Sequence, residues 1–160
     1  MSQHGDAAYE AFYKGYNCAQ SVAVAFAKEM GVTEEQALRM SAGFGGGMGR
    51  LREVCGAFSG MVLVLSTIYG VPDPAYKTAL YTEVQELAAR YKAANGGNSI
   101  ICRELLGLKK AEGSPVASPR TPEYYKKRPC PELVRLAANI MEEYLNAHPV
   151  PQTRTDAEQG

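Results

Sequence analysis

The residues best suited to chemistry in this chain are four cysteines, Cys18, Cys55, Cys102 and Cys130. Thiolates attack disulfides and ligate soft metal ions, so the set points to thiol/disulfide exchange or to metal or cluster binding. No pair forms CxxC, which removes the signature of thioredoxin-type and zinc-ribbon sites, and the haem-attachment pattern CxxCH is absent as well. Residues 43–60 read GFGGGMGRLREVCGAFSG, with five glycines in the first seven positions. Gly43, Gly45, Gly46, Gly47 and Gly49 suit either an anion-holding turn that delivers Cys55 to a shared site or a hinge between helices. Gly45, Gly46, Gly47 and Gly49 are therefore candidate cofactor-binding residues. Neither GxGxxG nor GxxxxGK[ST] aligns here, which argues against a nucleotide-phosphate loop.

Other catalytic constellations have little support. His4 and His148 lie near the two ends of the chain, outside the helices expected below, so no Cys/His or Ser/His pair is apparent. The ten tyrosines fall mostly on helices and read as packing residues, and no paired carboxylate motif stands out.

The elements that must position the thiols are helices, because no sustained apolar/polar alternation appears between turn signals. The fold class expected is an all-α single-domain bundle. Helices are predicted over 7–14 and 18–30, the second stopped by Gly31. Thr33-Glu34-Glu35-Gln36 has capping-box form and opens a helix to about Ala42. A long apolar helix over about 50–69 ends at Gly70 and Pro72, and Asp73-Pro74 restarts the chain toward a helix reaching Ala94. Asn95-Gly96-Gly97 breaks it, Asn98 or Ser99 caps the next helix, and Gly107 ends that one. Residues 112–122 read as a surface loop, with Thr121-Pro122 starting a short helical turn. Cys130-Pro131 opens a final helix to about Asn146, with Leu133, Leu136, Ala137, Ile140, Met141 and Tyr144 on one face.

On this map every cysteine stands at or near a helix start: Cys18 after the capping residue Asn17, Cys102 three residues after Ser99, Cys130 as the cap itself. Cys55 is the loosest case, one to two turns past the glycines. A helix N-terminus carries unpaired N–H groups and about half a positive charge, which stabilise a thiolate. Arg52, Arg103 and Arg128 add to this if they face the sulfurs. The plainer alternative is that the four are buried packing residues. The small residues Gly56, Ala57, Ser59 and Gly60 would let a neighbouring helix approach closely and bring a second thiol within reach of Cys55.

Composition narrows the setting. At 160 residues the chain suits one domain, residues 1–148, with a flexible tail over 149–160. Lys+Arg 17 balances Asp+Glu 17, and Lys109-Lys110 and Lys126-Lys127-Arg128 read as solvated surface, so no nucleic-acid partner is expected. The polar start MSQHGDAAYE shows no secretory signal, which makes a reducing cytoplasm the default. The apolar stretch 54–69 is shorter than the roughly 20 residues of a spanning helix and is interrupted by Gly56, Ser59, Gly60, Ser66 and Thr67. It reads as a buried central helix, with no membrane partner.

The run Gly45-Gly46-Gly47-Met48-Gly49-Arg50, then Cys55-Gly56-Ala57-Phe58-Ser59-Gly60, with Cys18 in NCAQSV, Cys102 and Cys130, resembles the C_GCAxxG_C_C family of redox-active proteins. The resemblance spans about residues 8–146, with Val54 ahead of the motif cysteine and the motif in its CGAxxG form. It implies a small, mostly helical, usually cytoplasmic prokaryotic protein whose redox-active cysteines correspond to Cys18, Cys55, Cys102 and Cys130.

Three functions are open at this level. The first is a thiol oxidoreductase cycling between thiol and disulfide, with Cys55 favoured as attacker for its glycine-rich approach and a protein or small-molecule oxidant or reductant as partner. The second makes Cys18, Cys55, Cys102 and Cys130 the ligands of an iron–sulfur cluster or a zinc ion. The third is an interaction module whose cysteines only pack. A homo-oligomer is compatible with all three.

Overall fold

The computed structural model describes residues 2–109 and 113–150. Helix α1 (Gln3–Tyr13) is capped by Ser2, whose hydroxyl accepts from the Gly5 amide. It begins earlier than the predicted residue 7, so His4 lies inside a helix. His148 directly follows the last helix, as its C-cap. The predicted helix over 18–30 divides into α2 (Cys18–Ala25) and α3 (Ala27–Met30) at Phe26, whose φ of -111° and ψ of 16° break the helical path. Gly31 then stops the chain in the left-handed region, φ 72°.

Thr33 forms the expected capping box with Gln36 at the start of α4 (Glu34–Ser41). A 3-10 turn at Ala42–Phe44 leads into α5 (Gly45–Met48), a single turn with left-handed backbone at Gly46 and Gly47. The apolar helix α6 is shorter than predicted, Gly56–Tyr69 rather than from about residue 50. Arg50 and Arg52 have φ of 65° and 59°, which a right-handed helix does not admit. Asp73 accepts from the Ala75 amide and starts a 3-10 turn that continues as α7 (Lys77–Ala94). After the Asn95-Gly96-Gly97 break come α8 (Cys102–Leu105), α9 (Pro122–Lys127, capped by Thr121) and α10 (Cys130–Ala147).

The chain is an all-α single domain. Helix α6 is its centre, packed on α2, α10 and α7, while α1 lies against α2 and α10. Met61, Val64 and Leu65 of α6 are wholly buried with Phe12, Val22, Leu87, Val134 and Met141. Each such side chain contributes about 1.5–3 kcal/mol by leaving water. The apolar stripe of α10 buries Leu133, Ala137, Ile140, Met141 and Tyr144 as expected, with Leu136 at its edge. Among the described residues no helix is long and apolar enough to cross a membrane. Of the predicted tail, residues 151–160 lie outside the described residues, as does Lys110.

Candidate functional site

All four cysteines stand at helix starts and line one cavity of about 430 Å³. Cys18 is the first residue of α2. Asn17 forms a capping box with Gln20 there and donates through Nδ2 to the Ala42 carbonyl at 2.9 Å, tying α2 to the chain ahead of the glycines. Cys55 is not one to two turns inside a helix; it is the N-cap of α6. Cys130 is the first residue of α10, with Pro129 rather than the cysteine at the cap.

Cys102 is likewise the first residue of α8, and Ser99 does not cap its amide. The Ser99 hydroxyl accepts from Ile101 N at 2.9 Å and bonds the Glu104 carboxylate. The Cys102 amide donates to the Glu53 carbonyl at 2.6 Å, and the Cys55 amide donates to the Ile100 carbonyl at 2.7 Å. These two bonds flank an antiparallel bridge between Val54 and Ile101. That short pairing, which no alternating pattern in the sequence announces, brings together the segments that carry two cysteines distant in sequence.

Small residues close the other contact. A Cβ on Gly56 would lie 3.1 Å from the Cys18 Cβ, and one on Gly60 would lie 2.8 Å from the Ala19 carbonyl oxygen. The starts of α2 and α6 therefore meet because α6 presents glycines there, which sets Cys18 against the residue that follows Cys55.

The glycine-rich segment is a tightly wound support. The amides of Gly49, Arg50, Arg52 and Glu53 donate to the carbonyls of Gly43, Gly45, Gly46 and Gly47. Gly45, Gly46, Gly47 and Gly49 line the cavity as backbone. Gly47 has φ 72°, and a Cβ there would stand 2.6 Å from the Cys102 Cβ, so only glycine fits. The winding forces Arg52 to φ 59°, a conformation costing a non-glycine residue about 1–3 kcal/mol. The strain accompanies a buried guanidinium whose Nη1 donates to Cys102 Sγ at 3.7 Å.

The four thiols do not share one electrostatic fate. Cys18 donates a hydrogen bond to Cys130, which is the main reason the Cys130 thiol is lowered to about 7; burial opposes this, and Arg128, Arg52 and Arg120 assist it. The same bond, reinforced by burial, pushes Cys18 well above the ordinary thiol value. Burial raises Cys55 despite Tyr91 Oη at 3.3 Å and the amides of Phe58 and Ala57. Burial likewise outweighs Arg52 at Cys102 and raises it. Helix-start placement thus does not make four thiolates: desolvation prevails at Cys55 and Cys102, the interaction with Cys130 raises Cys18, and only Cys130 combines a thiol donor with several cations.

The cavity also holds residues not anticipated from the sequence. Arg120, in the stretch read as a surface loop, donates to the carbonyls of Phe12 at 2.9 Å and Tyr16 at 3.0 Å and lies 4.1 Å from the Phe12 ring centroid. Arg128, grouped above with solvated lysines, faces the cavity instead, 5.4 Å from the Tyr124 ring, while Lys126 and Lys127 remain exposed. Arg103 pairs with Glu53 at 3.1 Å and does not line the cavity. Tyr124, which lines the cavity, and Tyr91, which lies behind it against Cys55, are indistinguishable in sequence from packing tyrosines.

Among the described residues no group of three or more His, Cys, Asp or Glu side chains is placed to hold a metal ion. All four sulfurs border one cavity, yet Cys55 is engaged by Tyr91 and Cys102 by Arg52. The donor set is thus the right type for a cluster or zinc but is not gathered as ligands.

The family pattern described as "Putative redox-active protein (C_GCAxxG_C_C)" matches residues 16–144, and the chain belongs to that family. No curated protein and no solved structure matches the chain.

Proposed function

We propose that this member of the C_GCAxxG_C_C family is a thiol–disulfide redox protein in which Cys130 attacks and Cys18 resolves. The observation that carries the reading is that Cys18 and Cys130, each the first residue of its helix, border one cavity beside Arg52, Arg120 and Arg128, where Cys18 and these arginines lower the Cys130 thiol. At pH 7 about half of Cys130 is thiolate, given its value of about 7. Cys55, with its proton held by burial, is the poorer nucleophile.

In the reducing direction the Cys130 thiolate attacks a substrate disulfide, forming a mixed disulfide and expelling one thiolate. That thiolate takes up the Cys18 proton, and the Cys18 sulfur then attacks Cys130 Sγ, expelling the second thiolate and leaving a Cys18–Cys130 disulfide. Two electrons pass from the protein to the substrate, and a dithiol reductant, protein or small molecule, restores the pair.

Mild oxidation followed by peptide mass mapping tests this. The free-thiol count should fall by two, with Cys18 joined to Cys130. Cys130→Ser should abolish the reaction, and Cys18→Ser should trap a mixed disulfide on Cys130. Joining of a different pair would overturn the assignment. Iron with acid-labile sulfide, or zinc, in anaerobically purified protein whose four thiols resist alkylation would give the cysteines to a metal centre instead.

A further inference from the structure

Apart from the Cys130 thiol, the ionisable side chains that bring charge to the cavity lining are cationic. Among the described residues bordering it are arginines and no carboxylate. Two of them, Arg120 and Arg128, lie close to Cys130 on the cavity wall. Arg120 is fixed by the neutral carbonyls of Phe12 and Tyr16, and Arg128 packs toward Tyr124, so neither meets a carboxylate among the described residues. Both guanidiniums lie near the Tyr124 ring, at 5.0 and 5.4 Å from its centroid. They therefore stand together on the wall that also carries Cys130.

A concave site with cations fixed to neutral partners raises the local concentration of anions and speeds their encounter. The volume, about 430 Å³, is that of a small-molecule site and excludes a folded domain. Arg120 is anchored through two backbone bonds before any ligand arrives, so its charge is preorganised rather than swinging in solvent.

Resting on the thiol–disulfide reading above, we propose that the substrate is a small organic disulfide bearing carboxylates or another anionic group, held by Arg120 and Arg128 while Cys130 attacks its sulfur. Cys130 Sγ forms a bond to one substrate sulfur as the substrate S–S bond breaks. The departing thiolate is protonated by Cys18, and closure of the Cys18–Cys130 disulfide releases the second thiolate. The substrate gains two electrons, the protein loses two, and both anionic thiols leave the cavity.

The test compares three disulfides of similar size: 3,3′-dithiodipropionate (anionic), 2-hydroxyethyl disulfide (neutral) and cystamine (cationic). Each rate of Cys18–Cys130 disulfide formation is divided by that disulfide's rate with a free thiol in solution, which removes intrinsic reactivity. The normalised rate should be at least about tenfold higher for the anion than for the neutral compound, with the cation slowest, and the gap should shrink with added salt. Arg128→Gln should cut the anion-to-neutral ratio several-fold, and Arg128→Lys should restore most of it. The ratio is unaffected by the weaker thiolate that loss of Arg128 also causes, because that change slows both reactions alike. Arg120→Gln should act in the same direction, and if it fails to fold, the Arg128 pair decides. A ratio near one, or one that Arg128→Gln leaves unchanged, overturns the anionic substrate while thiol exchange stands. Failure of all three compounds to join Cys18 to Cys130 overturns both.

Discussion

Replacing Cys18 by alanine removes the thiol that donates to Cys130, the largest influence lowering that group from 9.0 to about 7. Burial then works against the arginines alone, and the Cys130 value moves back toward 9. At pH 7 the thiolate fraction would fall from about one half to about 1%, roughly 50-fold, since each pH unit is a factor of ten. A more basic thiolate is also a better nucleophile: a Brønsted slope of about 0.4–0.5 returns roughly 6- to 10-fold per ionised sulfur. The net loss of alkylation rate at pH 7 is therefore about 5- to 8-fold, with the midpoint of the pH–rate curve displaced upward by up to about two pH units. The assay is iodoacetamide labelling of Cys130 across pH 5–10, read by peptide mass. Cys18→Ser keeps a hydrogen-bond donor in place of the thiol, so its midpoint should stay nearer that of the unaltered protein although it cannot resolve a disulfide. Unchanged midpoints in Cys18→Ala would refute the pairing, as would a titration near 7 that maps to Cys55 or Cys102.

Gly47→Ala should destabilise the fold by about 3 kcal/mol or more, because the added Cβ would stand 2.6 Å from the Cys102 Cβ at φ 72°; chemical denaturation measures it, and a loss under about 1 kcal/mol would mean the turn yields freely. Tyr91→Phe takes away the hydroxyl 3.3 Å from Cys55 Sγ, so Cys55 labelling should require higher pH at a stability cost of about 1 kcal/mol, while the Cys130 midpoint holds. His4 bonds Glu142 at 2.6 Å and Glu29 at 2.7 Å, and these carboxylates overcome the burial that would lower it, raising it above 6.5. Its contribution is fully present below pH 6.5 and is lost as pH rises through the raised value, whereas that of Glu142, lowered below 4.5, is lost as pH falls through its own. His4→Phe, which keeps a ring against Phe26, should therefore cost about 1 kcal/mol near pH 5.5 and progressively less toward pH 8; a pH-independent cost would show that the contact is only packing.

What the sequence determined by itself was local. The capping boxes at Asn17 and Thr33, the stop at Gly31 and the 3.6-residue stripe of α10 are encoded within a turn or two, and so is the placing of cysteines at helix starts. Gly56 and Gly60 announced a close helix contact because the lack of a side chain has only a few structural uses. The true start of α6 was not legible, since 50–55 is compatible with helix until the glycine segment winds Arg50 and Arg52 into positive φ. The bridge between Val54 and Ile101 joins segments with no strand pattern and exists only once both are held against the core. The ranking of the thiols also came from the tertiary structure. A helix start favours a thiolate by a local field, but desolvation and the choice of neighbours depend on the whole packing. Of four similar sequence positions only Cys130 has its thiol lowered, because only it was set beside a donating sulfur and the arginines that a loop and a short helix carry to it.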